Sequence, residues 1–83
     1  MNGINVSVIG EVVTEYTRQS RERMEEQQDP PQIGLFTSLK KEIEEAHKAL
    51  LGGRPLKYRE KLVEVAAIAM LAIAYFDKIP LDI

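Results

Sequence analysis

Cysteine and tryptophan are absent from this 83-residue sequence, and aromatic residues make up only 6% of it. Without cysteine, neither a disulfide nor a cysteine-based zinc site is available, and a reducing compartment is favoured, so we expect a cytoplasmic protein. A chain this short forms one domain, and it buries only about 60% of the surface that the unfolded chain exposes. We therefore predict a single domain over residues 1–83 that gains stability by forming a homodimer or homotetramer.

The sequence also lacks a strong charge of one sign, a targeting signal and a long apolar run. Its formal net charge is -2, which gives no general attraction for nucleic acid, so we predict no nucleic-acid partner. The N-terminus has no basic segment, and Gly10 and Glu11 interrupt its apolar stretch, which argues against a signal peptide. The apolar run Leu62 to Phe76 is shorter than the roughly 20 residues that span a membrane. We predict no membrane partner.

What the sequence does contain is helical periodicity, in three segments separated by two turn-rich joints. The first segment runs from Asn5 or Ser7 to about Gln28 and stops at the Asp-Pro-Pro sequence of residues 29–31. Its apolar residues recur every four positions, which is typical of an amphipathic helix. They are Val8, Val12 and Tyr16 in one line, with Ile9 and Val13 beside it.

The second segment has apolar residues at spacings of three and four, and it stops at the glycine pair 52–53. These residues are Leu35, Phe36, Leu39, Ile43, Ala46 and Leu50. Two starts remain open: Thr37 or Ser38 caps the helix, or residues 33–36 are already helical. On the helical wheel Glu42 and Glu45 lie at one margin of the apolar arc, whereas Glu44 falls on the solvated far side.

The third segment begins at Arg54 and Pro55, where proline suits a first helical turn, and continues to about Asp77. Beyond Val65 this helix is apolar all round, so it needs cover on several sides, and two preceding helices provide only part of that cover. We therefore predict an all-α fold in which a small three-helix protomer assembles into an oligomeric helical bundle. We expect the short tail of residues 78–83 to pack as an irregular segment.

Glu64 is the only charge in the run Leu62 to Phe76, and a buried carboxylate requires a partner. Two partners remain open from the residues alone. Glu64 shares a cation with Glu42 and Glu45 of the second segment, or it pairs with a lysine or arginine in a purely structural contact.

Three stretches of the sequence resemble the MazG-like all-α nucleoside triphosphate pyrophosphohydrolases, especially the short stand-alone members found in bacteria and their phages. EYTRQS, with Glu15, Arg18 and Gln19, is similar to an early ERxRQ-like stretch. LKKEIEEAHKAL resembles the helix with the EExxE motif. YREKLVEVAAIAMLAIAYFDK resembles the helix with the ExxD motif followed by small and apolar residues.

The resemblance implies cleavage of a (d)NTP to the monophosphate and pyrophosphate with the help of Mg²⁺, which prefers oxygen ligands. Glu42 and Glu45 match the second and third acids of EExxE, and Glu64 matches the final acid of ExxD. These three residues are the implied catalytic and metal-binding set. Lys41 and Lys61 stand where the family has acids, and Glu60 is a candidate replacement ligand, although it lies about 100° away on the helix.

Two functions follow from this pattern. In the first, the protein is a magnesium-dependent nucleotide pyrophosphohydrolase. In the second, Lys41 and Lys61 pair with the remaining acids, and the protein is a non-catalytic oligomeric helical module that acts as a partner-binding regulator or inhibitor, or sequesters nucleotides.

Several other residues have both a structural and a functional interpretation. The arginines at positions 18, 21 and 23 suit phosphate oxygens, but a solvated helix face interleaved with glutamates is the stronger expectation. Tyr58 and Tyr75 have the aromatic faces to stack on a base, whereas their helical spacing favours the core. His47 is expected at the surface or its edge.

Overall fold

The computed structural model describes residues 6–25 and 32–78, with side chains for 6–22 and 32–77. Three helices occupy these ranges: α1 Val6–Glu25, α2 Gln32–Leu51 and α3 Pro55–Lys78. Neither described range contains a strand, so the predicted all-α class with three helices is confirmed. The predicted end of the first helix near Gln28, the proline stop after it and the irregular packing of the tail beyond Lys78 lie outside the described residues.

The start of α2 is the earlier of the two that the sequence left open. The helix begins at Gln32, so residues 33–36 are helical and neither Thr37 nor Ser38 caps it. Thr37 lies inside the helix and its Oγ1 donates to the carbonyl oxygen of Ile33 at 2.9 Å. This bond to the preceding turn satisfies the hydroxyl without ending the helix.

A tight glycine turn joins α2 to α3. Gly53 has a φ of 68°, the left-handed conformation that glycine adopts at little cost, which ends α2 where the sequence predicts. The amides of Gly52 and Arg54 donate to the carbonyls of Lys48 and Ala49, each at 2.9 Å, so the last turn of α2 keeps its hydrogen bonds. Pro55 then occupies the first position of α3. The turn makes α2 and α3 an antiparallel hairpin.

α3 is the central helix, since it packs against both α1 and α2, while the backbones of α1 and α2 do not approach each other in the described ranges. The core is a small cluster of Leu35, Leu71 and Tyr75, with Tyr16 and Ala72 packed against it. Gln32 links α2 to α3 at the end of the hairpin away from the glycine turn, since its Nε2 donates to the carbonyl oxygen of Ala72 at 3.0 Å.

Much of the apolar surface remains uncovered in a single chain. Thirteen large hydrophobic side chains are exposed among the described residues, against seven buried hydrophobic residues. On α1, Val8, Val12 and Tyr16 are half-buried against α3, whereas Ile9 and Val13 beside them are exposed. No helix in the described ranges is long and apolar enough to cross a membrane.

Candidate functional site

The two helices of the hairpin bring the three predicted acids to one place. Glu42 and Glu45 lie one turn apart on α2, and Glu64 lies on α3 with Lys61 one turn before it. Because α2 and α3 run antiparallel, the middle of α2 faces the first half of α3, and all four side chains meet between the helices. We call this group of Lys61, Glu42, Glu45 and Glu64 the Lys61 cluster.

The Lys61 ammonium lies at the centre of the cluster. Its Nζ is 2.8 Å from Glu45 Oε1, 3.0 Å from Glu42 Oε1 and 3.3 Å from Glu64 Oε1. An ammonium carries three donors, so it matches three acceptors. The Lys61 side chain is only 12% exposed, which places the charge in a region where water screens it weakly.

The pKa values follow from this geometry. Hydrogen bonding to Glu45 is the largest of the effects that raise the pKa of Lys61, so its ammonium stays charged well above neutral pH. The same contact lowers the pKa of Glu45. Burial raises the pKa of Glu64, and the nearby Glu42 carboxylate adds to that rise, while Lys61 opposes it. One cation against three carboxylates leaves the fully ionised cluster with two excess negative charges.

The donor set of the cluster has the right chemistry for Mg²⁺, but its centre does not have room for the ion. Carboxylate oxygens are the ligands that Mg²⁺ prefers. The point on which the three carboxylates converge is held by Lys61 Nζ, and a cation at this point repels a metal ion. Accordingly, no group of three or more acidic or histidine side chains in the described ranges is arranged to hold a metal. Mg²⁺ does not fit while Lys61 keeps this position.

Glu60 and Lys41, the other two residues singled out for the metal site, lie outside the cluster. Glu60 is 58% exposed and pairs with Lys57 at 3.3 Å, so it does not replace a ligand beside Lys61. Lys41 is exposed and lowers the pKa of Glu45 by longer-range attraction. The expected ion pairs with the acids are present for Lys61, whereas Lys41 forms none with the described residues.

The arginines on α1 face carboxylates of the same helix. Arg18 forms ion pairs with Glu15 and Glu22, and these contacts raise the pKa of Arg18 further above its ordinary value. A guanidinium with two carboxylate partners has little free charge for a phosphate group. Arg21 is exposed, and the side chain of Arg23 lies outside the described residues.

Gln19 is a residue whose position sequence reasoning missed. It is 8% exposed, and its Nε2 donates to Glu15 Oε2 at 2.9 Å. Its Oε1 is buried with no hydrogen-bond partner in the described structure. A small cavity of about 200 Å³ adjoins Gln19 and reaches Glu42 and Glu64, so α1 closes the Lys61 cluster on one side. The polar character of α1 after Tyr16 gave no signal for such burial.

A wider groove of about 720 Å³ runs between α1 and α3, and it includes Glu60, Glu64 and Arg18. Arg59 and Glu11 bridge the two helices beside this groove with two contacts of 2.6 Å. Both side chains are about half exposed, so the pair adds little stability.

The remaining candidates have structural positions. Tyr75 is buried in the core, as its helical spacing favoured, and Tyr58 is half-buried. His47 and Glu44 are exposed on α2, which confirms both expectations. None of these four residues belongs to the Lys61 cluster.

Comparisons of the chain with protein-family models, with curated proteins and with solved structures find no match. The similarity to MazG-like pyrophosphohydrolases therefore stays a prediction from the three sequence stretches that carry it.

Proposed function

We propose that this chain is a non-catalytic, self-associating helical module on a scaffold similar to that of the MazG-like pyrophosphohydrolases, with the Lys61 ammonium in the place of a metal ion. The observation that carries the proposal is the contact of Lys61 Nζ with Glu42, Glu45 and Glu64 at 3.3 Å or less. A lysine that contacts all three carboxylates links α2 to α3 without metal chemistry.

Partner binding is the favoured role of such a module. The exposed apolar side chains on all three helices provide contact area for another chain, as a homodimer or homotetramer or with a protein to be regulated. Sequestration of a nucleotide is less well supported, because the carboxylates of Glu15 and Glu22 already neutralise Arg18. A phosphate-binding site requires positive charge or amides that are free to contact phosphate.

A second candidate function is nucleotide pyrophosphohydrolysis, and one observation favours it. The carboxylates of Glu42, Glu45 and Glu64 converge from two helices on a single point, which is the arrangement that the family resemblance implies for its acids. Activity would require Lys61 to leave that point. The ion pairs of Lys61 oppose such a displacement, which is why this function ranks second.

The two functions differ in turnover. We expect purified protein to release no pyrophosphate from a panel of dNTPs and NTPs with Mg²⁺ or Mn²⁺ beyond the rate of a Glu64→Gln control, because Lys61 excludes the ion. Pyrophosphate is measured by a coupled assay with each nucleotide. Release that depends on the metal and is lost in Glu64→Gln would overturn the non-catalytic proposal and establish the pyrophosphohydrolase.

A further inference from the structure

The turn between α2 and α3 has an open surface. Every residue from Leu50 to Lys57 is exposed, including the two glycines of the turn. A recess of about 380 Å³ opens beside the turn, and none of the described residues of α1 lines it. We call it the turn recess, and it is lined by Glu45, Lys48, Ala49, Gly52, Arg54 and Lys57.

The lining of the turn recess is basic, in a chain whose net charge is -2. Its cations are Lys48, Arg54 and Lys57. Lys48 and Arg54 form no ion pair with a described residue, and Lys57 has an exposed contact of 3.3 Å with Glu60. The first turn of α3 contains no acid that offsets these charges. The turn recess therefore has positive charge that is available to an anionic partner.

Glu45 is the acid in the lining of the turn recess, and a cation already engages its carboxylate. Its Oε1 lies 2.8 Å from Lys61 Nζ, so the Lys61 ammonium offsets its charge. The hydrogen bond from Lys61 lowers the pKa of Glu45, and the charge of Lys41 adds to that effect. The repulsion between Glu45 and an anion in the recess is reduced accordingly.

Three exposed leucines lie at the same end of the hairpin. Leu50 and Leu51 end α2, Leu56 is in the first turn of α3, and they are 55%, 75% and 84% exposed. Cations beside apolar side chains suit a peptide segment that has both carboxylates and apolar residues. A small phosphate compound gains nothing from the leucines. A bilayer surface can contact the leucines, but it is too flat to enter a recess.

We propose that the turn recess binds the carboxylates of an acidic, partly apolar segment of a partner protein. The proposal rests on the proposed role of the chain as a partner-binding module, and it names the surface and the chemistry of the partner. Lysine and arginine donate charge-assisted hydrogen bonds to carboxylates. Lys48 is near the end of α2, and Arg54 and Lys57 are around the start of α3, so the cations suit several carboxylates along a segment.

The test measures the binding of a short fluorescein-labelled peptide in which Glu and Leu alternate, by fluorescence anisotropy with the full chain at low ionic strength. The same peptide with Gln in place of each Glu is the probe control. We expect the Glu peptide to bind, with an affinity that falls as salt is added, because salt screens exposed charges. The Gln peptide should bind at least about 10-fold more weakly.

Substitutions of the cations test the site itself. Lys48→Met with Arg54→Met should weaken binding of the Glu peptide by at least about 10-fold, because it removes the two cations that have no ion pair in the described ranges. Lys40→Met with Arg21→Met is the matched control, since it removes one exposed lysine and one exposed arginine outside the recess. The control should change the affinity by no more than about 2-fold.

Removal of the acid in the lining should have the opposite effect. Glu45→Gln should strengthen binding of the Glu peptide by about 3-fold, because a repelling charge leaves the recess. Glu44→Gln removes the same charge from an exposed position outside the recess and should leave the affinity nearly unchanged.

A second measurement requires no substitution, so it also covers a variant that fails to fold. Titration of ¹⁵N-labelled wild type with the Glu peptide should shift the amide NMR signals of Lys48, Gly52, Arg54 and Lys57. The signals of α1 should stay in place, because none of its described residues lines the recess.

Three results would each overturn the turn recess as the site: no binding of the Glu peptide, equal losses in the two double variants, or NMR shifts on α1 instead of at the turn. Inorganic pyrophosphate or phosphatidylserine vesicles that bind at the turn in preference to the Glu peptide would overturn the acidic segment as the ligand. Failure of the non-catalytic proposal has a separate readout, since it requires metal-dependent pyrophosphate release.

Discussion

Combined replacement of Lys41 and Lys61 by glutamate is expected to lower the dissociation constant for Mg²⁺ by at least about 100-fold, because two repelling cations become two anionic oxygen ligands. Three carboxylates already converge on the point where Lys61 Nζ lies. Most of the gain should come from position 61, since Lys41 is exposed and outside the cluster. Isothermal titration calorimetry with Mg²⁺, repeated with Mn²⁺, measures the change.

The control for this variant changes the same number of charges elsewhere. Lys40 and Lys57 are exposed on the same two helices, so Lys40→Glu with Lys57→Glu alters the net charge equally without touching the cluster. It should leave metal binding close to that of the wild type. Equal gains in the two double variants would mean that bulk charge, rather than the converging carboxylates, attracts the ion. Tight Mg²⁺ binding by the wild type that is lost in Glu42→Gln would contradict the role given to Lys61.

Substitution of Lys61 by methionine should cost about 2 kcal/mol of unfolding free energy at pH 7. Removing one partner of a buried ion pair costs about 3–5 kcal/mol, and the partial exposure of the Lys61 cluster reduces that figure. Methionine keeps most of the apolar stem of lysine, so the loss of unfolding free energy measures the contribution of the charge. Chemical denaturation at one protein concentration measures it, with Lys57→Met as the control, since Lys57 is 51% exposed in its pair with Glu60.

The loss of unfolding free energy in Lys61→Met should depend on pH, in a direction set by the protonation of the three carboxylates. Without Lys61, the three acids repel one another, which disfavours their charged forms in the folded state, and burial already raises the pKa of Glu64. An acid with a raised pKa stabilises the fold below its unfolded pKa, and this contribution is lost as the pH rises through the folded value. The difference between Lys61→Met and the wild type should therefore shrink from pH 7 towards pH 4. A difference that is constant over this range would show that Lys61 acts by packing alone.

Glu45 and Glu64 differ in how the Lys61 cluster affects their pKa values. With Lys61 present, hydrogen bonding lowers the pKa of Glu45 while burial raises that of Glu64, so acids of one cluster are shifted in opposite directions. The exposed side chain of Glu45 retains water as well as the ammonium, whereas Glu64 has lost more of its hydration. Of these two carboxylates, Glu64 is the one whose charged form burial disfavours and Lys61 supports.

The sequence by itself determined the three helices, the glycine stop before Pro55 and the requirement of Glu64 for a cation, because helical periodicity, turn residues and the cost of a buried charge are local properties. It left the start of α2 open, since capping and continued helix both suit residues near Thr37. Only the tertiary structure decided that Lys61 contacts all three acids. That outcome depends on the alignment of α2 against α3 and on the reach of one side chain, which no spacing within a single helix specifies. The burial of Gln19, between α1 and the Lys61 cluster, was decided in the same way, by how separate helices pack.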